Sequence, residues 1–361
     1  METSLYLDFV QKSFPLLVTS VAEKINDKRN GALTYLYRNL LTPEYSVDGR
    51  WASVLAKYTR VTADVVALDS SLPIKSRDAV EMVNGEIPKM GIKMYMTENQ
   101  MKAVDSLISQ NAGGRFTSTI INNIFQDLPK CIDSIYETIE AIFQSELSSG
   151  IGVAPKSTGT GVRLDMKFLS ANKKGVAAAW NTSSGKAIDD LQKIFDKAEE
   201  DGNVITDMYA DDTFLKLFYG NDQAKQQFAF NMGFVGSNIP VLSLEQAQDV
   251  VRRKWGVELH RVARKFKTEL NGTQANATSW QNGVASFVCD PRIGSLVWTN
   301  TVESTRPKAG VEYQTVDNFI LLSKYAENDP WREYTSSQAM VVPILNNVDR
   351  IYTLDTQTIQ A

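Results

Sequence analysis

Three patterns in the 361-residue sequence predict an α+β fold. Ile121, Ile124, Phe125, Leu128, Ile132, Ile135, Ile139, Ile142 and Leu147 recur every three to five positions, the mark of a long helix with one apolar stripe. Met90, Ile92, Met94 and Met96 alternate with Lys89, Gly91, Lys93 and Tyr95, the two-residue period of a strand. Short strand-like runs dominate the later chain, at 257–266, 283–288, 319–325, 337–345 and 350–354. No internal repeat or low-complexity linker separates these parts, so one interwoven body is expected.

Residues 1–48 form an arm with one or two helices. Leu33, Leu36, Tyr37, Leu40 and Leu41 fall at helical spacing before Pro43 stops the run. The arm holds six acids and five bases, which excludes a basic, nucleic-acid-coating tail, and its apolar residues call for a partner surface. Val61, Ala63, Val65 and Ala67 alternate as a second strand, and with 90–96 it flanks a polar tip, 69–86, that holds Pro73, Lys75, Arg77 and the turn signal Asn84-Gly85. A two-stranded hairpin alone is marginal in water, so this one needs cover from outside itself.

Thr97 and Gln100 form a capping box that opens a helix with Met101, Val104, Leu107 and Ile108. Pro129 predicts a kink or break in the long helix, and Gly150-Ile151-Gly152 predicts its end. A strand at 162–169 follows, then helices at 187–198 and 213–230. A second capping box, Ser243 with Gln246, opens a helix that closes at Gly256, and 271–282 is a polar loop.

The 38 basic and 42 acidic residues give a net charge of −4, too mild to argue for nucleic acid or membrane recognition. Two cysteines and one histidine cannot build a four-ligand zinc site in one chain. The N-terminus lacks a basic, apolar leader and no run is long enough to span a bilayer, so an intracellular protein with reduced thiols is expected.

Four segments could carry chemistry, and each has a plainer role. Ser157-Thr158-Gly159-Thr160-Gly161 follows a helix and precedes a strand, the reverse of a phosphate loop, and reads as a connection. Arg252, Arg253, Lys254, Arg261, Arg264, Lys265 and Lys267 put seven bases in 16 residues, but the first three complete the last turn of a capped helix. Asp207, Asp211 and Asp212 lack the Gly and closing Glu of a calcium loop, and Asp211 and Asp212 suit a helix N-terminus. His260 lies in a strand pattern without a nucleophile elbow nearby, as a packed or surface side chain would. No catalytic residue, cofactor or metal is expected.

The stretch Val162-Arg163-Leu164-Asp165-Met166, Trp180, the helix 187–202 and above all Asp329-Pro330-Trp331-Arg332-Glu333-Tyr334-Thr335-Ser336-Ser337-Gln338-Ala339 resemble tailed-phage major capsid proteins of the Hong Kong 97 fold, in the lambda-like protein E branch. The resemblance runs over residues 50–361. It implies an N-terminal arm (1–56), an extended loop (57–96), a peripheral domain (97–182 with 326–361) holding a spine helix (116–149), and an axial domain (183–325). It further implies a non-enzymatic subunit that assembles as hexamers and pentamers into an icosahedral shell around double-stranded DNA. Leu36, Leu40, Pro73, Lys75, Arg77, Lys89, Trp331 and Arg332 are the candidate subunit contacts.

Implied partners are copies of the chain itself and portal protein, with decoration protein optional, and since only 48 residues precede the hairpin, scaffolding is expected to be either separate or unnecessary. No maturation cleavage at Met1 is expected. The location implied is the virion, after assembly in the host bacterial cytoplasm. Lys75 with Asn346 or Asn347 has the residue types of an intersubunit cross-link, but no marked carboxylate accompanies them and none is expected to form. Two alternatives remain: an encapsulin-like compartment, and a carboxylate-dependent hydrolase using Asp207, Asp211 and Asp212.

Overall fold

The computed structural model describes residues 2–26, 35–56, 80–111, 114–154, 163–233, 239–270 and 273–360. The strand pattern at 61–67, the tip residues 69–79 and the Gly-rich 157–161 lie outside them. The chain divides into two units. One comprises Met1–Trp51, Gly85–Glu140 and Leu296–Pro343, the other Ala52–Asn84, Ala141–Ser295 and Ile344–Ala361.

The first unit is built on a sheet with strands in the order Leu41–Tyr45, Gly294–Thr299, Trp331–Leu345, Ile320–Asn328 and Glu312–Val316. The strand Lys89–Met96 also belongs to this sheet. It pairs antiparallel with Trp331–Leu345, Met96 opposite Glu333 and Lys89 opposite Met340. The alternating residues 90–96 thus have a strand neighbour within the chain, more than 200 residues away, against which Met90, Ile92 and Met94 are half-buried and Met96 is buried, while the other strand of the expected hairpin lies outside the described residues. The strand Arg50–Ala56 pairs instead with Val80–Glu86.

The arm's helix, Leu7–Asn26, buries Val10, Phe14 and Val18 at four-residue spacing, with Tyr6 just ahead of it, and Phe14 stacks on Phe125 at 5.8 Å. The short helix Leu36–Leu40 follows. Tyr35, Tyr37, Leu40 and Leu41 are buried within the single chain. The Tyr37 amide donates to Glu140 Oε2 at 3.1 Å and the Tyr35 ring meets Tyr136 at 5.6 Å. Here too the chain supplies the partner surface that the arm's apolar residues required.

Pro129 breaks the long apolar pattern into two helices, Thr117–Ile124 and Leu128–Ser149, and sits in the first turn of the second, where its missing N–H leaves no bond unmade. Gly150 ends that helix at φ +79°.

The second unit centres on a five-stranded sheet ordered Lys173–Val176, Ile351–Ile359, Val284–Val288, Asp207–Asp211 and Glu258–Val262, with helices Ala187–Glu200, Asp212–Gly220, Asp222–Met232 and Leu244–Trp255. Its core joins Trp180, Leu191, Ile194, Phe214, Phe218, Val250, Phe287 and Tyr352. The expected helix at 213–230 is two, because Asn221 caps the second by accepting the Gln223 N–H at 3.1 Å while donating to Gly185 O at 3.0 Å. The expected loop at 271–282 contains a strand, Thr273–Ala277, paired with Phe266–Leu270. Its side chains are almost all exposed, so no hydrophobic alternation marks it.

Candidate subunit-contact surface

Trp331 and Arg332 open the longest strand of the first unit, directly after the turn Asp329-Pro330, whose peptide is cis. Opposite-strand register places Tyr95, Tyr334 and Tyr325 side by side across three strands, with ring centroids 6.0 and 5.4 Å apart. Cations top this row. The Arg332 guanidinium stands 4.2 Å from the Tyr95 centroid, and Lys93 Nζ stands 3.6 Å from that of Tyr334 while pairing with Glu327 at 3.4 Å. Tyr95 is 46% exposed, so the row offers aromatic area already held in place, and Trp331 at the start of the strand is 43% exposed beside it.

A buried polar cluster underlies it. The Glu333 carboxylate accepts from Ser4 Oγ and from the Leu5 N–H, and it faces Lys324, whose Nζ donates to Ile124 O at 3.1 Å and Thr335 Oγ1 at 3.0 Å. Glu2 exchanges two backbone bonds with Ala326, at 2.7 and 3.0 Å. Burial raises the Glu333 carboxyl and lowers the Lys324 ammonium from their ordinary values, although each partner opposes the shift of the other. The N-terminal residues are thus fastened beneath the face that carries Arg332 and the tyrosine row.

Other candidate contacts are placed differently. Lys89 is exposed and pairs with Glu303 at 3.3 Å. Leu36 is half-buried and Leu40 only 4% exposed, which leaves Leu40 little surface for a neighbour. Pro73, Lys75 and Arg77 lie outside the described residues.

The side chains considered for chemistry serve the fold. Asp211 caps the helix Asp212–Gly220, accepting from Thr213 and Phe214, and also accepts the Gly283 N–H. Asp212 pairs with Arg261 at 2.6 Å and Asp207 with His260 at 2.7 Å, His260 stacking on Tyr209. Arg252 pairs with Glu258 and Arg253 with Asp249, at 3.2 and 2.8 Å. Burial pushes the Cys131 and Cys289 thiols up to about 12, far from a reactive thiolate. Among the described residues no group of three acidic, His or Cys side chains could hold a metal, and no helix is long and apolar enough to cross a membrane.

A family model described as phage major capsid protein E matches residues 18–276. The chain belongs to this family. As a phage major capsid protein it is a structural subunit of a virion capsid. Its fold is similar to that of a chain described as a capsid protein of prophage from E. coli CFT073, with TM-score 0.55 and 13% identity over 94% of this chain and 98% of that one. A phage-related protein from Bordetella bronchiseptica RB50 aligns at TM-score 0.51 and 9% identity over all of both chains. No curated protein sequence matches. The α+β capsid fold of the Hong Kong 97 type, expected from the sequence, is the fold of this capsid protein.

Proposed function

We propose that copies of this capsid protein close as hexamers and pentamers into an icosahedral shell that holds double-stranded DNA without reading its sequence. The observation that carries this is the family match over 18–276. The surface chemistry supports it. Net charge is −4, and within the densest basic segment Arg252, Arg253 and Arg261 are engaged in ion pairs with Glu258, Asp249 and Asp212. The role is structural and not enzymatic.

In this reading residues 57–96 serve as the extended loop and 183–325 as the axial domain, with 1–56 as the arm and 97–182 plus 326–361 as the peripheral domain. Trp331, Arg332, Lys89, Leu36 and Leu40, with Pro73, Lys75 and Arg77 of the tip, contact neighbouring subunits. A separate scaffold and a portal protein take part, decoration protein is optional, and assembly takes place in the host cytoplasm. The engagement of Asp207, Asp211 and Asp212 in internal bonds speaks against a hydrolase.

Electron microscopy of the purified recombinant protein, alone and with a co-expressed scaffold, tests the reading. Closed shells of genome-holding size are expected. A protein that stays monomeric in both conditions, or forms only small shells around a protein cargo, would overturn it.

A further inference from the structure

The helix Leu128–Ser149 ends in Gln144-Ser145-Glu146-Leu147-Ser148-Ser149, and the serine hydroxyls there are all engaged. Ser145 Oγ donates to Ile151 O at 2.7 Å, Ser148 Oγ to Gln144 O at 2.8 Å and Ser149 Oγ to Ser145 O at 2.7 Å. Glu146 is different. Its side chain is fully buried and neither carboxylate oxygen has a hydrogen-bond partner.

The surroundings offer it no counter-charge among the described residues. The hairpin of Ile151–Val153 with Arg163–Asp165 lies against it, and Gly152 is so close that a Cβ there would stand 2.5 Å from Glu146 Oε1. Of that hairpin's ionisable groups, Asp165 pairs with Lys167 at 3.2 Å and Arg163 is exposed. Lys173 Nζ donates to Ser149 O at 3.0 Å. The strand Val284–Val288, whose Ser286 Oγ donates to Leu147 O at 2.7 Å, carries no ionisable side chain.

An ionised carboxylate in such a place has lost its water and gained nothing in return, so the neutral acid is the form that fits. Burial accordingly pushes the Glu146 carboxyl well above the usual carboxylate range.

We propose that Glu146 makes this packing of the helix end against the hairpin depend on a bound proton, and that loss of the proton favours an opened arrangement in which the carboxylate reaches water. In the opened form the carboxyl titrates near ~4.3, the ordinary value for glutamate. Above that pH the closed form binds one proton more than the opened form. It is therefore weakened about tenfold for each pH unit until its own titration is reached. Acid closes this corner and base opens it. The device belongs to the single subunit and does not rest on the shell reading.

Hydrogen exchange on the full-length subunit tests it, read at the Gly150 and Met166 amides, which donate to Glu146 O at 2.7 Å and Gly150 O at 2.9 Å. After correction for intrinsic exchange, protection should fall about tenfold per pH unit above roughly pH 5 in the wild type. It should be flat in Glu146→Gln and in the similarly sized, apolar Glu146→Leu. Wild-type protection that ignores pH, or a slope that survives either substitution, overturns the proposal. A carbon NMR titration of the wild-type Glu146 carboxyl needs no variant. Titration displaced upward supports the proposal, and a midpoint in the ordinary carboxylate range overturns it.

Discussion

Lys324 and Glu333 meet diagonally across adjacent strands, Nζ 3.9 Å from Oε1, each side chain at most 1% exposed. A pair this dry has given up the hydration of both charges, so its worth lies in the bonds around it: Ser4 and Leu5 on one side, Ile124 and Thr335 on the other. Removing one member strands the other. Lys324→Met or Glu333→Leu alone should each cost about 3–5 kcal/mol, and the double variant should cost less than either because no lone charge remains. Urea unfolding of the four proteins measures this. Additive losses would show that the two groups are not coupled.

The aromatic row above that pair should matter to assembly more than to folding. Arg332→Ala removes an exposed, solvent-screened stack on Tyr95, so the unfolding midpoint should barely move. Shell yield by sedimentation should collapse, and more so in Trp331→Ala. Normal shells from both variants would remove this face from the subunit contacts.

Gly91 sits opposite Gln338, and a Cβ on it would lie 2.6 Å from the Ser337 carbonyl oxygen. Gly91→Ala should therefore push the strand Lys89–Met96 off its partner, with a loss of about 1–3 kcal/mol. Thermal unfolding gives the loss, and faster exchange of the Met90–Met96 amides gives its location. Unchanged exchange along that strand would count against the assignment.

Acid stability should carry the mark of Asp212. Its hydrogen bond and charge pairing with Arg261 hold its carboxyl below the usual range. The folded state therefore gives up that proton more readily than the unfolded chain. The stabilisation is present above about pH 4 and fades as the pH falls through the lowered value. Arg261→Gln should flatten this acid limb and leave the dependence above pH 6 untouched. An identical acid limb in the variant would assign it to other carboxylates.

Changing Arg252, Arg253 and Lys254 to Gln removes the cations from the last turn of a helix that Gly256 closes at φ +74°. Stability should drop by ~1–2 kcal/mol through the lost dipole interaction, with the DNA content of purified particles unchanged. Less DNA in otherwise normal particles would make this segment a nucleic-acid contact.

Local signals were legible and distant ones were not. Both capping boxes, the break at Pro129 and the helix ends at Gly150 and Gly256 depend on residues within one turn of each other. The strand Leu41–Tyr45 escaped notice because Pro43 reads as a stop, yet it is the first strand of its sheet, an edge that tolerates proline. Lys324 and Glu333 look like surface residues in any alternating pattern, since only their approach to each other and to the distant Ser4, Leu5 and Ile124 makes burial tolerable. Glu146 did leave a trace. It follows Ile139, Ile142 and Phe143 at core spacing, an acid where the stripe calls for an apolar side chain.

The first unit's sheet also sets an order on synthesis. Leu41–Tyr45 lies beside Gly294–Thr299, and among the described residues Lys89–Met96 pairs only with Trp331–Leu345. A ribosome therefore completes most of the chain before either early strand can find its neighbour, and at ordinary rates of synthesis that interval lasts many seconds. Throughout it the methionine face of residues 90–96 and the leucines around residue 40 are open to other nascent chains. A protein made in the large numbers a shell requires has to pass through this interval every time. Non-local pairing of this kind slows folding, and chaperone supply and temperature during expression should govern how much of it reaches the assembly stage.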